Sequence, residues 1–369
     1  VTVARPVERL ASEVYAVPTE TPEADGTFAW DSTTLVLATV RCGTVTGLGY
    51  TYAPPAAARV VDGLLADVVT GVSVLDVPRA TEAMARAVRN AGLPGVAAQA
   101  LSAVDIALWD AKARVLGLPL VQLLGAARDE VPVYGSGGFT AYDDSRLERQ
   151  LRGWVKTEGI PRVKIKIGES WGRCEDRDLR RVTQARATVG PKTGLYVDAN
   201  GGYGMKQAVR VAAGLADEGV VWFEEPVSSD HPDALAAIRA QVTPDVTAGE
   251  YGYTLSYFRH MLAARAVDCL QADVTRCGGI TVWLRVAALA QSHGLEISGH
   301  CAPHAHVHAA ATVPNLRHLE WFHDHVRIER LLFDGTLDAE GGSLGVGQAQ
   351  APGLGLSIAG ERAAPYRTG

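Results

Sequence analysis

From Val131 onward the chain alternates between short β-like runs and Ala-rich helical stretches, and this rhythm constrains the fold more than any other feature. The runs are Val131–Tyr134, Arg162–Ile167, Gly194–Val197, Val220–Phe223, Val246–Ala248, Cys269–Ala272, Glu296–Ser298 and His318–Leu319. Most gaps hold a helical pattern such as Lys206–Glu218 or Thr281–His293. Eight such units within about 200 residues predict an α/β fold with a (β/α)8-type barrel. A doubly wound open sheet is the alternative, but it rarely needs so many units.

The segment before Val131 has a different order. Thr33–Thr39 is apolar and β-branched, Gly43 to Tyr50 supplies a turn and a second strand, and helical stretches follow. The last of these, Ala98–Leu116, repeats apolar residues at three- and four-residue steps. Segregated strands and helices predict a small α+β domain. The expected domains are therefore 1–125 (α+β), 126–345 (barrel) and 346–369, a tail that turns Gly/Pro-rich and then polar and returns to the first domain.

Composition narrows the partners. A formal net charge of −6 argues against a nucleic-acid binder, which normally shows a basic stripe. Apolar stretches are broken by charges too soon to cross a bilayer, so no membrane partner is expected. With 47% apolar but only 7% aromatic residues, the interior should be Ala, Val and Leu rather than rings. The five cysteines are odd in number and scattered without CxxC spacing. That argues against a disulfide framework or a thiolate zinc site and fits a reducing compartment. No apolar leader is visible, and the expectation is a cytoplasmic protein.

The ionisable residues carry the functional information. Reading each barrel strand to its C-terminal end gives Lys164 and Lys166, Asp198 and Asn200, Glu224 and Glu225, Glu250, Asp273, His300, and Glu320. Barrel active sites sit at that face. Solvation of strand ends would explain one or two of these, not seven strands in succession. Asp198, Glu224 and Glu250 follow one another at 26-residue intervals, one βα unit each. Three acidic oxygen ligands from adjacent strands suit a hard cation, Mg²⁺, where zinc would call for imidazole or thiolate. A salt-bridge network with the lysines is the ordinary alternative.

Lys164 and Lys166 are two apart on one strand and point to the same side. Two ammonium groups together, near a divalent cation, favour the neutral amine in one of them, which makes a usable base. Asp273 beside His300 would orient the ring and raise its basicity on the other side of the mouth. Among the remaining histidines, His304 is the one expected within reach of the site. His306, His308, His323 and His325 read as structural or surface residues.

At these residues the sequence resembles the enolase superfamily, in its mandelate racemase-like branch. The resemblance is carried by SAVDIALWDAKARVLGLPL (102–120), VKIKIG (163–168), VDANGGY (197–203), WFEEP (222–226), AGE (248–250), QADVTRCGG (271–279), SGH (298–300) and LEW (319–321), and it covers essentially the whole chain. It implies a modified TIM barrel with an N-terminal capping domain completed by the C-terminal tail. It also implies that Asp198, Glu224 and Glu250 are metal ligands, Lys166 a base on one face and Lys164 a cation beside the substrate carboxylate. His300 with Asp273 would be the acid/base dyad on the opposite face. Asn200 would be an amide contacting substrate or backing the metal ligands, and Glu320 a group hydrogen-bonded to the substrate carboxylate. The muconate-lactonizing branch typically has a lysine on the sixth strand, where this chain has Asp273.

The resulting expectation is Mg²⁺-dependent removal of the proton next to a carboxylate, through an enediolate. Charge would be held by Mg²⁺, Lys164 and, if it carries a proton, Glu320. Dehydration of an aldonate or aldarate to a 2-keto-3-deoxy acid is the favoured outcome. Racemisation or epimerisation of a 2-hydroxy acid is the second, and a non-catalytic ligand-binding barrel the third. Loops Val17–Trp30 and Gly49–Pro55 would close the mouth, with Trp30, Tyr50 and Tyr52 as substrate-binding wall residues. Closed symmetric association is common for such barrels, so a homo-oligomer is expected.

Overall fold

The structure, a computed structural model, describes residues 5–347 and 350–369. The first four residues of the expected N-terminal domain and residues 348–349 of the expected tail lie outside the described residues. The N-terminal domain starts with an antiparallel sheet of β1 (Arg9–Ala24), β2 (Ala29–Cys42) and β3 (Val45–Tyr52) in that order. Strand β1 contains Pro18 and Pro22, and its register breaks between Pro18 and Glu23. It is an edge strand, where a missing N–H costs no ladder bond.

The helix Val96–Leu116 lies directly on this sheet. Gly47 and Gly49 share one face of β3, while Ala103, Ala107 and Ala111 share one stripe of the helix. A Cβ on Gly49 would fall 2.2 Å from the Ala103 carbonyl oxygen, and one on Gly47 would fall 2.4 Å from that of Ala107. Helix backbone therefore rests on strand backbone, and only glycine allows it.

The same helix joins the two domains. The Ser102 hydroxyl accepts the N–H groups of Gly278 and Gly279 (2.9 and 3.1 Å). Asp105 accepts the Thr281 N–H at 3.0 Å and the Thr81 hydroxyl at 2.7 Å, and Trp109 Nε1 donates to Thr281 Oγ1 at 2.9 Å. Burial lifts the Asp105 carboxyl to about 6 against these donors.

The barrel is built from β4 (Glu130–Gly137), β5 (Arg162–Lys166), β6 (Gly194–Asp198), β7 (Val220–Glu224), β8 (Asp245–Ala248), β9 (Cys269–Ala272), β10 (Glu296–Gly299) and β11 (Leu316–Phe322). Each pairs in parallel with the next, and β11 pairs with β4 to close the ring. Every expected run overlaps one of these strands. One expectation needs correction: a layer of rings lies below the mouth, with Tyr196 stacked on Trp222 at 5.3 Å and Tyr134 edge-on to His318 at 4.6 Å. Three aromatics, Tyr134, Tyr196 and Trp222, fill this part of the closed barrel.

After β11 the chain adds three short strands, β12 (Phe333–Asp334), β13 (Ser343–Gly345) and β14 (Ser357–Ile358). Strand β13 runs antiparallel to β4, and β14 pairs with β12. The chain then reaches the first sheet, where Thr368 N–H donates to the Val14 carbonyl and Val14 N–H to that of Gly369, both at 2.8 Å. Asp110 accepts the N–H of Leu354 at 2.6 Å and of Leu48 at 2.8 Å, joining this segment to β3. Among the described residues no helix is long and apolar enough to cross a membrane, and all five cysteines are free thiols.

Candidate active site

The polar strand ends converge. Lys164, Lys166, Asp198, Glu224, Glu250, Asp273, His300 and Glu320 are all buried at the C-terminal end of the barrel. Asp198, Glu224 and Glu250 each offer a carboxylate oxygen within 4.8 Å of the others. Three buried carboxylates this close repel one another unless positive charge stands between them. Glu250 Oε2 is buried without a hydrogen-bond partner, as are Glu225 Oε1 and Asn200 Oδ1. An all-oxygen donor set with an orphaned oxygen fits Mg²⁺.

The lysines partly balance this charge. Lys164 Nζ lies 2.6 Å from Glu224 Oε1, 2.8 Å from Glu320 Oε1 and 3.8 Å from Asp198 Oδ2. Burial alone would lower its pKa, but Glu224, Glu320 and Asp198 outweigh it and raise it well above the ordinary value. Lys166 pairs with Asp198, and the same contest, with Asp198 the main opponent of burial, raises it too. The expected neutral amine is therefore not what this arrangement favours, because each ammonium has a carboxylate of its own. Burial pushes the Asp198 carboxyl up, and Lys166 and Lys164 more than reverse it. For Glu224 burial prevails and raises it to about 7.

His300 and Asp273 meet as the sequence suggests. The Nδ1···Oδ2 distance is 2.8 Å, and Asp273 Oδ1 accepts the Thr275 N–H and hydroxyl, both at 2.7 Å. An ionised carboxylate only accepts, so Nδ1 carries a hydrogen and Nε2 is the functional nitrogen. Nε2 lies 3.4 Å from Glu250 Oε2 and 3.7 Å from Glu320 Oε2. Burial would lower the imidazole pKa, but Glu250, the bond to Asp273 and Glu320 together raise it above its usual value.

Whether Glu320 carries a proton is decided by its neighbours. Its Oε1 accepts the Ser136 hydroxyl at 2.6 Å as well as Lys164, and its Oε2 accepts the Cys301 N–H at 3.0 Å. Burial would raise its pKa, yet Lys164, His300 and Lys166 hold it well below the usual range, so it is ionised rather than protonated. Asn200 sits at φ 46° with its N–H on Asp198 Oδ1 at 2.8 Å.

The capping-domain residues divide. Gly26 presses on the strand ends, since a Cβ there would meet the carbonyl oxygens of Ile167 and Ala199 at 2.6 and 2.8 Å. Trp30 stands edge-on to Phe139 at 5.4 Å and packs on the group that includes Cys301 and Phe322, beside the site. Tyr50 and Tyr52 are not wall residues. The Tyr50 hydroxyl donates to Glu329 at 2.7 Å and that of Tyr52 to the His325 carbonyl at 3.3 Å, with Tyr52 stacked on the His325 ring. Both fill the seam against the helix His323–Leu332. His304 likewise turns to Glu329 and the Leu337 backbone instead of the mouth.

Sequence reasoning missed several participants. Arg276 lies 3.4 Å from Glu250 Oε1 and 3.5 Å from Asp273 Oδ2, bridging two strand ends. Its place three residues after Asp273 was the available signal. Gln271 and Trp222 each donate to Glu224, at 3.2 and 2.9 Å, from inward positions one pleat below a strand end.

Comparison with known proteins places this geometry. Residues 146–363 match the family model described as enolase C-terminal domain-like, and residues 12–125 match that of the mandelate racemase/muconate lactonizing enzyme N-terminal domain. The chain is 31% identical to L-talarate/galactarate dehydratase of Salmonella typhimurium over 320 residues, 84% of this chain and 77% of that protein. It is also 31% identical over 320 residues to 3,6-anhydro-alpha-L-galactonate cycloisomerase of Streptomyces coelicolor, covering 85% and 88%. The crystal structure of a mandelate racemase/muconate lactonizing enzyme-like protein from Rubrobacter xylanophilus superposes with a TM-score of 0.94 at 49% identity, covering 98% of this chain and 100% of the other. With both domains matched and the strand-end residues gathered at one mouth, the chain belongs to the enolase superfamily, in its mandelate racemase/muconate lactonizing enzyme-like branch.

Proposed function

We propose that this protein is a carbon–oxygen lyase that dehydrates a sugar acid, an aldonate or aldarate, to a 2-keto-3-deoxy acid. The observation that carries the reading is His300, with Nδ1 fixed on Asp273 and Nε2 turned into the cluster that also holds Lys166. One group can take the α-proton and the other can serve the opposite face. The dehydratase among the relatives supports the same reading.

Bound by Asp198, Glu224 and Glu250, Mg²⁺ would supply positive charge where the substrate carboxylate becomes an enediolate. Lys164 adds a fixed ammonium beside it. Lys166 would be the base on one face, with Asp198, its partner here, also one of the residues that would hold the metal, and His300 would serve the other. Imidazolium at His300 then gives its proton to the β-hydroxyl, the C–O bond breaks, and water leaves an enol that becomes the 2-keto acid. Asn200 Oδ1 and Trp30 line the substrate side. The same pair of groups without a leaving hydroxyl would epimerise a 2-hydroxy acid. The protein works as a closed homo-oligomer in a reducing cytoplasm, a setting its free thiols suit.

The test is a screen of sugar acids with Mg²⁺, detecting 2-keto products and following α-hydrogen exchange in D₂O by NMR. Formation of a 2-keto-3-deoxy acid is the expected result. Exchange that yields only an epimer for every acid would replace dehydration with epimerisation.

A further inference from the structure

We propose a second metal site, for a thiophilic cation such as Zn²⁺, formed by His300 Nε2, Cys301 Sγ and Glu320 Oε2. It lies beside the carboxylate triad and is distinct from it, and its occupation would switch the reaction off. The site itself does not depend on which acid is the substrate; only the inhibitory consequence rests on His300 acting in proton transfer.

The geometry is specific. Cys301 Sγ lies 3.3 Å from His300 Nε2 and 3.3 Å from Glu320 Oε2, and the latter two atoms are 3.7 Å apart. Tetrahedral zinc with ordinary Zn–S, Zn–N and Zn–O bonds requires donor separations of about 3.3–3.6 Å. The triangle is thus set for zinc with shifts of a few tenths of an ångström. His300 is also prepared as a ligand, since its Nδ1–H on Asp273 leaves the Nε2 lone pair for a metal, the usual carboxylate–histidine–zinc arrangement. Glu250 Oε2 lies 3.4 Å from the same Nε2 but belongs to the carboxylate triad, so solvent would fill the fourth position of a three-ligand site.

The backbone holds the thiol there. Cys301 and Ala302 follow β10 with φ of 49° and 39°, conformations non-glycine residues rarely adopt. The turn is fixed by Cys301 N–H on Glu320 Oε2 at 3.0 Å and Ala302 N–H on His325 Nδ1 at 3.2 Å. Chain spacing hides the site, because two ligands are sequence neighbours and the third comes from the next strand. On binding, the Cys301 thiol releases its proton to solvent as the S–Zn bond forms, and Nε2 donates its lone pair. The nitrogen that must carry the catalytic proton is then occupied.

The test uses Co²⁺ as a spectroscopic probe on the full chain, with saturating Mg²⁺ and no substrate. The expected result is a single equivalent of Co²⁺ with a thiolate-to-cobalt charge-transfer band, displaced by Zn²⁺ and unaffected by further Mg²⁺. Cys301→Ser should weaken binding by more than about 100-fold, beyond the range typical of losing an outer-shell partner, and abolish the band. Cys174→Ser, at a cysteine outside the site, should leave it intact. Circular dichroism checks that Cys301→Ser is folded, and Cys301→Ala supplies a second variant. A band that survives Cys301→Ser, or that Mg²⁺ removes, would overturn the site. A cysteine-dependent band with α-hydrogen exchange unchanged by Zn²⁺ would overturn the inhibition, whatever acid the protein processes.

Discussion

Replacing Asp273 with Asn changes one terminal atom of a fully buried side chain, and hydrogen bonding decides where that atom goes. Oδ1 accepts the Thr275 backbone N–H at 2.7 Å, a donor that cannot reverse its polarity, so the Asn carbonyl takes that position. The amide NH₂ then faces His300 Nδ1 across the 2.8 Å contact. Two donors cannot share it, so Nδ1 must stay unprotonated and the ring is held as the neutral Nε2–H tautomer instead of the imidazolium that gives its proton to the leaving hydroxyl. The imidazolium also loses one of the groups that raise its pKa. Loss of correctly oriented acid/base chemistry costs about 10²–10⁴ in rate, or about 3–5 kcal/mol of barrier. Stability should change little, because the Thr275 bonds survive. The assay is turnover by 2-keto detection, with α-hydrogen exchange in D₂O for substrates whose proton faces Lys166, and Mg²⁺ binding by calorimetry as a control. Exchange on the Lys166 face should persist while dehydration fails. Turnover within about tenfold of wild type, under 1.4 kcal/mol, would refute the tautomer argument.

Glu224→Gln should reduce Mg²⁺ affinity and turnover by orders of magnitude, measured by calorimetry and kinetics; full activity in excess EDTA, with metal absence verified, would remove the metal assignment. Gly49→Ala drives a Cβ to 2.2 Å from the Ala103 carbonyl oxygen and should cost about 3 kcal/mol in urea unfolding, while a loss under about 1 kcal/mol would mean the helix can lift off the sheet. His308, whose Nε2 meets the Leu354 carbonyl at 3.0 Å, is held down by burial from 6.5 to about 4. The unfolded chain takes that proton first, so about 3 kcal/mol of stability is present above pH 6.5 and is lost as pH falls toward 4. His308→Gln should flatten that acid slope relative to wild type. Light scattering should give a mass at least twice the 39.0 kDa of one chain; a monomer at micromolar concentration would contradict the oligomer.

The barrel was legible because its strands are short, largely apolar and regularly spaced, and seven of the eight lead into a polar residue that solvation alone does not explain. Strand β1 was not legible: Pro18, Pro22 and its polar residues read as a loop, and an edge strand can carry them. Tyr50 and Tyr52 show a second limit. Alternation puts them on the same side of β3, but only the packed structure shows that this side meets Glu329 and His325. The protonation states of Lys166 and Glu320 show a third. Counting neighbouring like charges along the chain favours a neutral amine and leaves the proton of Glu320 open, whereas the fold gives Lys166 its own Asp198 and puts Lys164 on Glu320.

On the proposed function, chemistry and recognition would be divided between the two domains by how each is held. The groups at the mouth sit at the ends of eight mutually paired strands, so their spacing follows from barrel closure and tolerates little change. The body of the capping domain is fixed just as firmly, by Ser102, Asp105 and Trp109 on the residue 278–281 segment of the barrel. Its tip is built differently. Beyond the register break after Pro18, only Glu23 opposite Trp30 and Ala24 opposite Ala29 continue the pairing of β1 with β2. That tip carries Gly26 onto the Ile167 and Ala199 carbonyls and Trp30 against the aromatic group beside Cys301. On the proposed function, substitution of Trp30 would reshape the wall over the substrate, whereas a side chain at Gly26 would push on the residues that follow Lys166 and Asp198, so a change of acid is open to the first position and closed to the second.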